Sequence, residues 1–563
     1  MPAPTRSPFK MSSDDVAQLQ QRNKRRSLPA RLRSVRQEAA RARAARAWTP
    51  GSRGWSGKGT GRAFYVAGPV EAQGTTVHVC GLWPFAAGSP NPIVGVPLGR
   101  HLTTGASVCG DPVFWFLSNL VSNPSAFVLG RPGLGKSSLI RRMVTVLAAW
   151  GITPMILSDL KPDYVDLIEA MDGLVIRVGR GKGHINCLDM GPLVHLLHQL
   201  PPQQAQEAMA ELRGRRLTTF TGLLAQVRGD RLAAHEHTLI STALRVLDEQ
   251  ATQAGSTVPH LPQQVYDVID DGHPQLRAVA MDRGEDARYR DRVEPLLDLV
   301  RALLESGPFG DLFAKHTTTP IELDRPVVFD LSSIDDGDLA LQAAAQSVCW
   351  SYGSLSISAA KHLADAGLAP QRHYFLVMDE LWRMLRAAPF MVDFVDGLTR
   401  LNRQRGLGQA MITHTMDDLK LPDPTDTAKA WGFVERAAMV FCGGLAVSEM
   451  GNLQEVFAMS GKEQSLIAEW STDAGVDPET GVAASPPGRG KFLLKLGKKP
   501  GIPFLVELTP VEMDVHNTNK MWTELAGRVA LARQHSQAPD VQEAEDATRR
   551  AVLEQGAHAT GRS

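Results

Sequence analysis

SAFVLGRPGLGKSSLIRRMV, residues 125–144, decides how this chain is read. Its centre, Gly130-Arg131-Pro132-Gly133-Leu134-Gly135-Lys136-Ser137, satisfies the pattern G-x-x-x-x-G-K-[ST]. The apolar run Ala126 to Leu129 precedes it and reads as a strand, and strong helix formers follow it. Glycines at 130, 133 and 135 let the backbone curl so that successive N–H groups face phosphate oxygens, with a helix N-terminus behind them. Lys136 can reach the outer phosphates and the Ser137 hydroxyl can ligate Mg2+, while Ser138 begins the packed helix. The pattern in this context predicts a site for a nucleoside triphosphate.

Outward from that loop the chain runs in strand and helix units. Ser137 to Trp150 reads as a helix and Pro154 to Ser158 as a second strand, closed by Asp159-Leu160-Lys161-Pro162-Asp163-Tyr164. Pro162 suits the first position of the next helix, and Leu174 to Val178 is a third strand. The strands are continuously apolar rather than alternating, which predicts a mainly parallel sheet covered by helices, with ligands beyond the strand C-termini. Residues 193–320 carry helical spacing and read as a helical insertion. Its charged residues, Arg228, Asp230 and Asp282 among them, are expected to be a solvated face. His195 and His198 lie at helical spacing without a third ligand and read as ordinary helix residues.

The core resumes with Pro326 to Leu331 and an Ala-rich helix from Leu339 to about Tyr352, then RHYFLVMDE, residues 372–380. An apolar strand ending in Asp379-Glu380 downstream of a glycine loop is the second half of a nucleotidase signature. Asp379 is placed to hold water on the metal, and Glu380 to orient or deprotonate the attacking water. The next strand, Gln409 to Thr413, ends at His414, where a polar side chain can sense the third phosphate. Arg400 and Arg403 stand just before it and can supply positive charge in the transition state. Ala438 to Cys442, Phe492 to Leu496 and Ile502 to Leu508 are the last strands. Gly443-Gly444 reads as a tight turn and SPPGRGK, residues 485–491, as a surface loop.

Composition sets the outer limits. At 563 residues the chain can hold more than one domain, and its formal charge balances at zero. The balance is uneven: residues 1–62 hold fifteen Lys or Arg against three acids, a basic flexible leader that reads as an interaction arm. Residues 63–122 follow as a short strand-rich collar with Gly99 and Asp111 turned toward the nucleotide domain. The core then divides into 123–192 and 321–510 around the insertion, and 511–563 is a C-terminal helix and polar tail. Five scattered cysteines suggest neither a disulfide scaffold nor a zinc site. No apolar run of eighteen residues or secretory leader is present, so a cytoplasmic location is expected, reaching the inner face of the membrane through partners.

Six stretches together carry a resemblance: LGRPGLGKSSLIRRMV (129–144), SDLKPDY (158–164), INCLD (185–189), VVFDLS (327–332), HYFLVMDELWRML (373–385) and LTRLNRQRGLGQAMITHTMDDL (398–419). In their order, and in the helical insertion between the third and fourth, these stretches resemble the ATPase module of the VirB4/TraC/TraE proteins of type IV secretion and conjugation, within the FtsK/HerA class. The resemblance implies an α/β P-loop NTPase fold of RecA-like type and Mg2+-dependent ATP hydrolysis. It further implies a homo-hexamer at a secretion or conjugation channel. Gly130 through Ser138 would bind nucleotide, Ser137 and Asp379 would hold Mg2+, and an arginine such as Arg400 or Arg403 would reach across a subunit interface. His414 stands where this family commonly has glutamine. A substantial N-terminal docking domain, usual in the family, is not legible before the loop, so a separate membrane-docking subunit is expected. Two alternatives stay open: a DNA-translocating ATPase of the FtsK/HerA type, and a nucleotide-gated assembly component with weak hydrolysis.

Overall fold

A computed structural model describes residues 92–387, 392–400, 406–473 and 486–515. The basic leader, collar residues 63–91, Arg403, the Arg400 side chain and the tail beyond 515 lie outside the described residues. The strands are β1 (Pro97–His101), β2 (Ser107–Cys109), β3 (Ser125–Leu129), β4 (Ile152–Asp159), β5 (Leu174–Arg177), β6 (Val327–Asp330), β7 (His373–Met378), β8 (Leu407–Thr413), β9 (Met439–Cys442), β10 (Lys491–Lys495) and β11 (Ile502–Val506). They form one sheet in the order β2-β1-β11-β10-β9-β3-β8-β7-β4-β6-β5. From β9 to β5 every pairing is parallel, and from β9 to β2 every pairing is antiparallel.

The parallel half is covered on both faces. Every residue of β3 and β8 is buried, which explains why neither alternates apolar with polar residues. Alternate side chains serve opposite cores. Ala126 and Val128 join Ile156, Phe375 and Val377 on one face, and Phe127 and Leu129 join Leu157, Leu376 and Trp350 on the other. The helix Lys136–Ala149 seals the first face with Leu139, Ile140, Met143, Val144 and Leu147, a single stripe at helical spacing.

The helix Leu339–Asp365 belongs to the second core and is buried at every residue from Leu341 to Ala359, with β4 on one side and the insertion helix Pro202–Arg228 on another. It runs well past the expected end near Tyr352. The serines there do not break it, because Ser347 and Ser356 return their hydroxyls to the carbonyls of Ala343 and Tyr352.

Other expectations need correcting. The described collar strands β1 and β2 extend the main sheet through β11. Asp111 is buried and structural, accepting from the N–H groups of Val96, Val113 and Phe114. The helix after β4 begins at Val165, not at Pro162. The Asp159 carboxylate takes the N–H groups of Asp163 and Tyr164 at 3.2 and 2.8 Å, holding residues 160–164 as a turn instead. In the insertion, Arg228 pairs with buried Glu236 and Asp282 with Arg277, so these charges do more than solvate. Among the described residues, no helix is long and apolar enough to cross a membrane.

Candidate functional site

Three neighbouring parallel strands, β3, β8 and β7, deliver the glycine loop, His414 and Asp379-Glu380 from their C-terminal ends. The loop itself is held by backbone. Gly130 N–H donates to the His414 carbonyl at 3.0 Å and Arg131 N–H to the Gly444 carbonyl at 3.0 Å. Gly490 N–H donates to the Leu134 carbonyl at 2.9 Å. Gly133 and Gly135 take φ of +79° and +98°, the left-handed conformations a side chain resists. Arg131, Pro132 and Gly133 are exposed at the loop tip, while Leu134 is buried and pins it. Ser138 is half-buried on the first helical turn. No side chain caps the helix Lys136–Ala149, whose N-terminus opens on the loop.

The two glycine turns behind the loop have little room. A Cβ on Gly444 would stand 2.4 Å from the Trp470 carbonyl oxygen, and one on Gly488 only 1.9 Å from the same atom. The stretch read as a surface loop is therefore, from Gly488 to Gly490, a buttress of the glycine loop. Gly444→Ala is expected to lose about 1–3 kcal/mol in urea unfolding and to weaken nucleotide binding in the same preparation.

Lys136 is 9% exposed. Its ammonium donates to the Gly130 carbonyl at 2.6 Å and to the Arg131 carbonyl at 3.4 Å, and meets His414 Nδ1 at 2.9 Å. An ammonium can only donate, so Nδ1 is the acceptor and the imidazole proton sits on Nε2. That nitrogen faces Glu380 Oε2 at 3.2 Å. His414 thus connects the loop lysine to the glutamate as a neutral acceptor–donor pair. Glutamine offers the same pair through its amide, so His414→Gln is expected to keep ATP turnover within about threefold, whereas His414→Leu should lose at least about tenfold. Steady-state hydrolysis of the two variants side by side measures this. Burial lowers the Lys136 pKa, with Asp379 and Glu380 pulling it back.

Glu380 is gripped from three sides: by His414, by Lys161 at 3.2 Å and by the Trp382 indole N–H. Burial opposes its ionisation, but the His414 hydrogen bond, the Lys161 charge and the Trp382 hydrogen bond together hold its pKa below the usual carboxylate range. Its backbone adopts φ of +52°, which costs a non-glycine residue on the order of 1 kcal/mol or more. Asp379 braces this turn by accepting from the Glu380 N–H at 2.8 Å, and it takes the Tyr164 hydroxyl at 3.0 Å. Burial, and then the neighbouring Glu380 charge, push the Asp379 pKa up to about 6. Ser137 donates not to Asp379 but to Asp163, at 2.7 Å. Burial raises the pKa of both Asp159 and Asp163.

The structure brings Lys136, Ser137, Asp379, Glu380 and His414 into this one region. Arg400 closes the helix Val392–Arg400, and neither its side chain nor Arg403 falls within the described residues. His195 and His198 lie on the 3-10 turn Val194–Gln199, away from these strand ends. Sequence reasoning missed Lys161, Asp163, Tyr164 and Trp382 as site residues. For the first three a signal existed, a charged stretch closing the strand next to the Asp379 strand.

No protein-family model matches the sequence, and no curated protein matches it either. Among solved structures, VirB4 of Thermoanaerobacter pseudethanolicus aligns over 76% of this chain and 100% of its own, with 17% identity and a TM-score of 0.54. The chain shares the fold of VirB4. The conjugative coupling protein TrwB, lacking its first 70 residues and unbound, aligns at 12% identity over 73% of this chain and 88% of its own, with a TM-score of 0.44. TrwB in complex with ADP and Mg2+ gives 11%, 69%, 85% and 0.43 for the same quantities. The VirB4-like fold supplies the mixed α/β scaffold expected from the sequence.

Proposed function

We propose that this chain is a Mg2+-dependent ATPase that powers a secretion or conjugation channel, working as a ring of identical subunits. One observation carries the reading. The ammonium of a glycine-loop lysine and the carboxylate of a strand-end glutamate are joined through His414 at the ends of three adjacent parallel strands.

The residues suit a phosphate chain with its metal. The loop presents an uncapped helix N-terminus and backbone N–H groups, favourable for phosphate. The Ser137 hydroxyl and the carboxylates around it are the hard oxygen donors that Mg2+ prefers. Among the described residues no cluster of three or more His, Cys, Asp or Glu groups forms a metal cage. Mg2+ in phosphoryl-transfer sites needs none, since one or two carboxylates and the substrate phosphates complete its shell. Bound Mg2+ would neutralise charge on the outer phosphates.

In this reading Gly130 to Ser138 cradle ATP, and Lys136 exchanges its contacts with the loop carbonyls for phosphate oxygens. Such an exchange also frees His414 Nδ1, so the state of the third phosphate is passed to Glu380 through one imidazole. Glu380, kept ionised, orients the water that attacks the terminal phosphorus in line. Arg400 or Arg403 supplies positive charge from a neighbouring subunit, and channel proteins with a separate membrane-docking subunit are the partners.

The test is ATP hydrolysis by the purified chain, with mass measured in parallel, with and without DNA across a salt series, and with Lys136→Ala as control. Turnover that needs Lys136, rises with assembly and ignores DNA supports the channel motor. Salt-sensitive stimulation by DNA would replace it with the translocase reading. Nucleotide binding without turnover would leave only a gated assembly component.

A further inference from the structure

The glycine-loop serine is expected to share its metal with the acid that closes the apolar strand, Asp379. The structure places a different carboxylate beside it. Ser137 Oγ lies 2.7 Å from Asp163 Oδ2, whereas the two Asp379 oxygens receive the Glu380 N–H and the Tyr164 hydroxyl.

We infer that Asp163 is a ligand of the Mg2+ held by Ser137, with Asp379 acting behind it as the brace of the Asp379-Glu380 turn. The inference rests on the ATPase reading above. Three features support it. Neighbouring ligands of octahedral Mg2+, each at about 2.0–2.1 Å from the metal, stand about 3 Å apart, and the Ser137 and Asp163 oxygens already have that spacing. Asp163 is also preorganised. Its N–H is taken by Asp159 at 3.2 Å, the next N–H by the same carboxylate at 2.8 Å, and its carbonyl by the Arg141 guanidinium. Arg141 lies on the helix that begins with Lys136 and Ser137, so loop, serine and aspartate are fixed to one another. Finally, Asp163 is only half-buried, which leaves its carboxylate reachable by a hydrated ion arriving with a nucleotide. A hydroxyl-to-carboxylate contact of this kind is what such a metal replaces on entering, since the serine proton must leave the line between the two oxygens.

The experiment measures affinity for a fluorescent ADP analogue in Mg2+ and in EDTA, for the wild-type chain, Asp163→Asn and Asp163→Cys. In the wild type Mg2+ tightens binding. Asp163→Asn should lose about tenfold or more of that gain while keeping its EDTA affinity within about twofold. Asp163→Cys should recover the gain with Cd2+ but not with Mg2+, because a thiolate prefers the softer ion. An Asp163→Asn chain that keeps the full Mg2+ gain overturns the inference, as does one whose affinity falls equally with and without metal. Should the Asn variant be poorly folded, indifference of Asp163→Cys to Cd2+ overturns it independently. A wild-type chain that binds the analogue in neither condition overturns the ATPase reading itself, which separates the two failures.

Discussion

Glu380→Gln is expected to lower ATP turnover by about two to four orders of magnitude while leaving nucleotide affinity within a few-fold. Glutamine keeps the shape of the side chain and can still accept from Lys161, Trp382 or His414, the groups that grip this position. What it loses is the negative charge those groups are arranged to preserve. With its pKa held below the ordinary carboxylate range, Glu380 stays ionised throughout the neutral region. Turnover in the wild type should therefore show no acid limb from Glu380 between pH 5 and 8. Single-turnover hydrolysis across that range, beside equilibrium binding of the same nucleotide, checks both parts. A variant that hydrolyses ATP at more than a tenth of the wild-type rate would remove Glu380 from the chemistry.

Asp379→Asn is expected to act in two directions at once. Turnover should fall by at least about a hundredfold, because the variant removes the negative charge that lies between Lys136 and Glu380. Stability should rise at neutral pH. Burial, and then the Glu380 charge, raise the Asp379 pKa from the ordinary value near 4 up to about 6. Between those two values the folded chain keeps a proton that the unfolded chain releases, so stability falls as pH rises from about 4 to 6. Above about 6 the full cost of the buried charge is present. Asparagine removes that cost and keeps the geometry: its carbonyl accepts from the Glu380 N–H, and its amide donates to the Tyr164 oxygen, whose hydroxyl reverses role. Asp379 is half-buried as a residue, so about 1–2 kcal/mol is expected at pH 7.5. The gain should disappear near pH 4, as urea unfolding of both chains at the two pH values would record.

Much of this site was legible before the structure, because its chemistry is written in local patterns. The glycine loop needs positive φ and a following helix, and Gly133, Gly135 and Lys136–Ala149 provide them within one stretch. Asp379-Glu380 closes a strand that is apolar from Tyr374 to Met378, which is also a local signal. The parallel core was readable for the same reason, since strands covered on both faces lose their polar alternation. What stayed hidden depends on pairing between distant segments. Nothing local in PLGRH or SVC says that they extend the sheet through β11. Nor does Pro162 reveal that Asp159 will capture the next turn and carry Asp163 to Ser137, since proline followed by an aspartate fits a helix start equally well. The acceptor state of His414 also lay beyond sequence, because it follows from which atom Lys136 meets.

The strand carrying the glycine loop has a further consequence for how the molecule comes into being. β3 finds its two neighbours in β8 and β9, so Ser125 lies opposite Gln409 and Leu129 opposite Cys442. During synthesis the ribosome would release the loop early and its supports very late, after the whole insertion has emerged. Apart from Pro202–Arg228, which packs on Leu339–Asp365, the insertion helices pair with near neighbours in the chain, a low-contact-order unit able to fold while it waits. A nascent chain stalled before residue 413 would hold the full glycine motif and a compact helical unit, yet lack the edge against which the loop takes shape. Nucleotide capture would then mark the completion of the fold rather than guide it, and a chaperone would meet the glycine-loop strand as an apolar segment with both edges open.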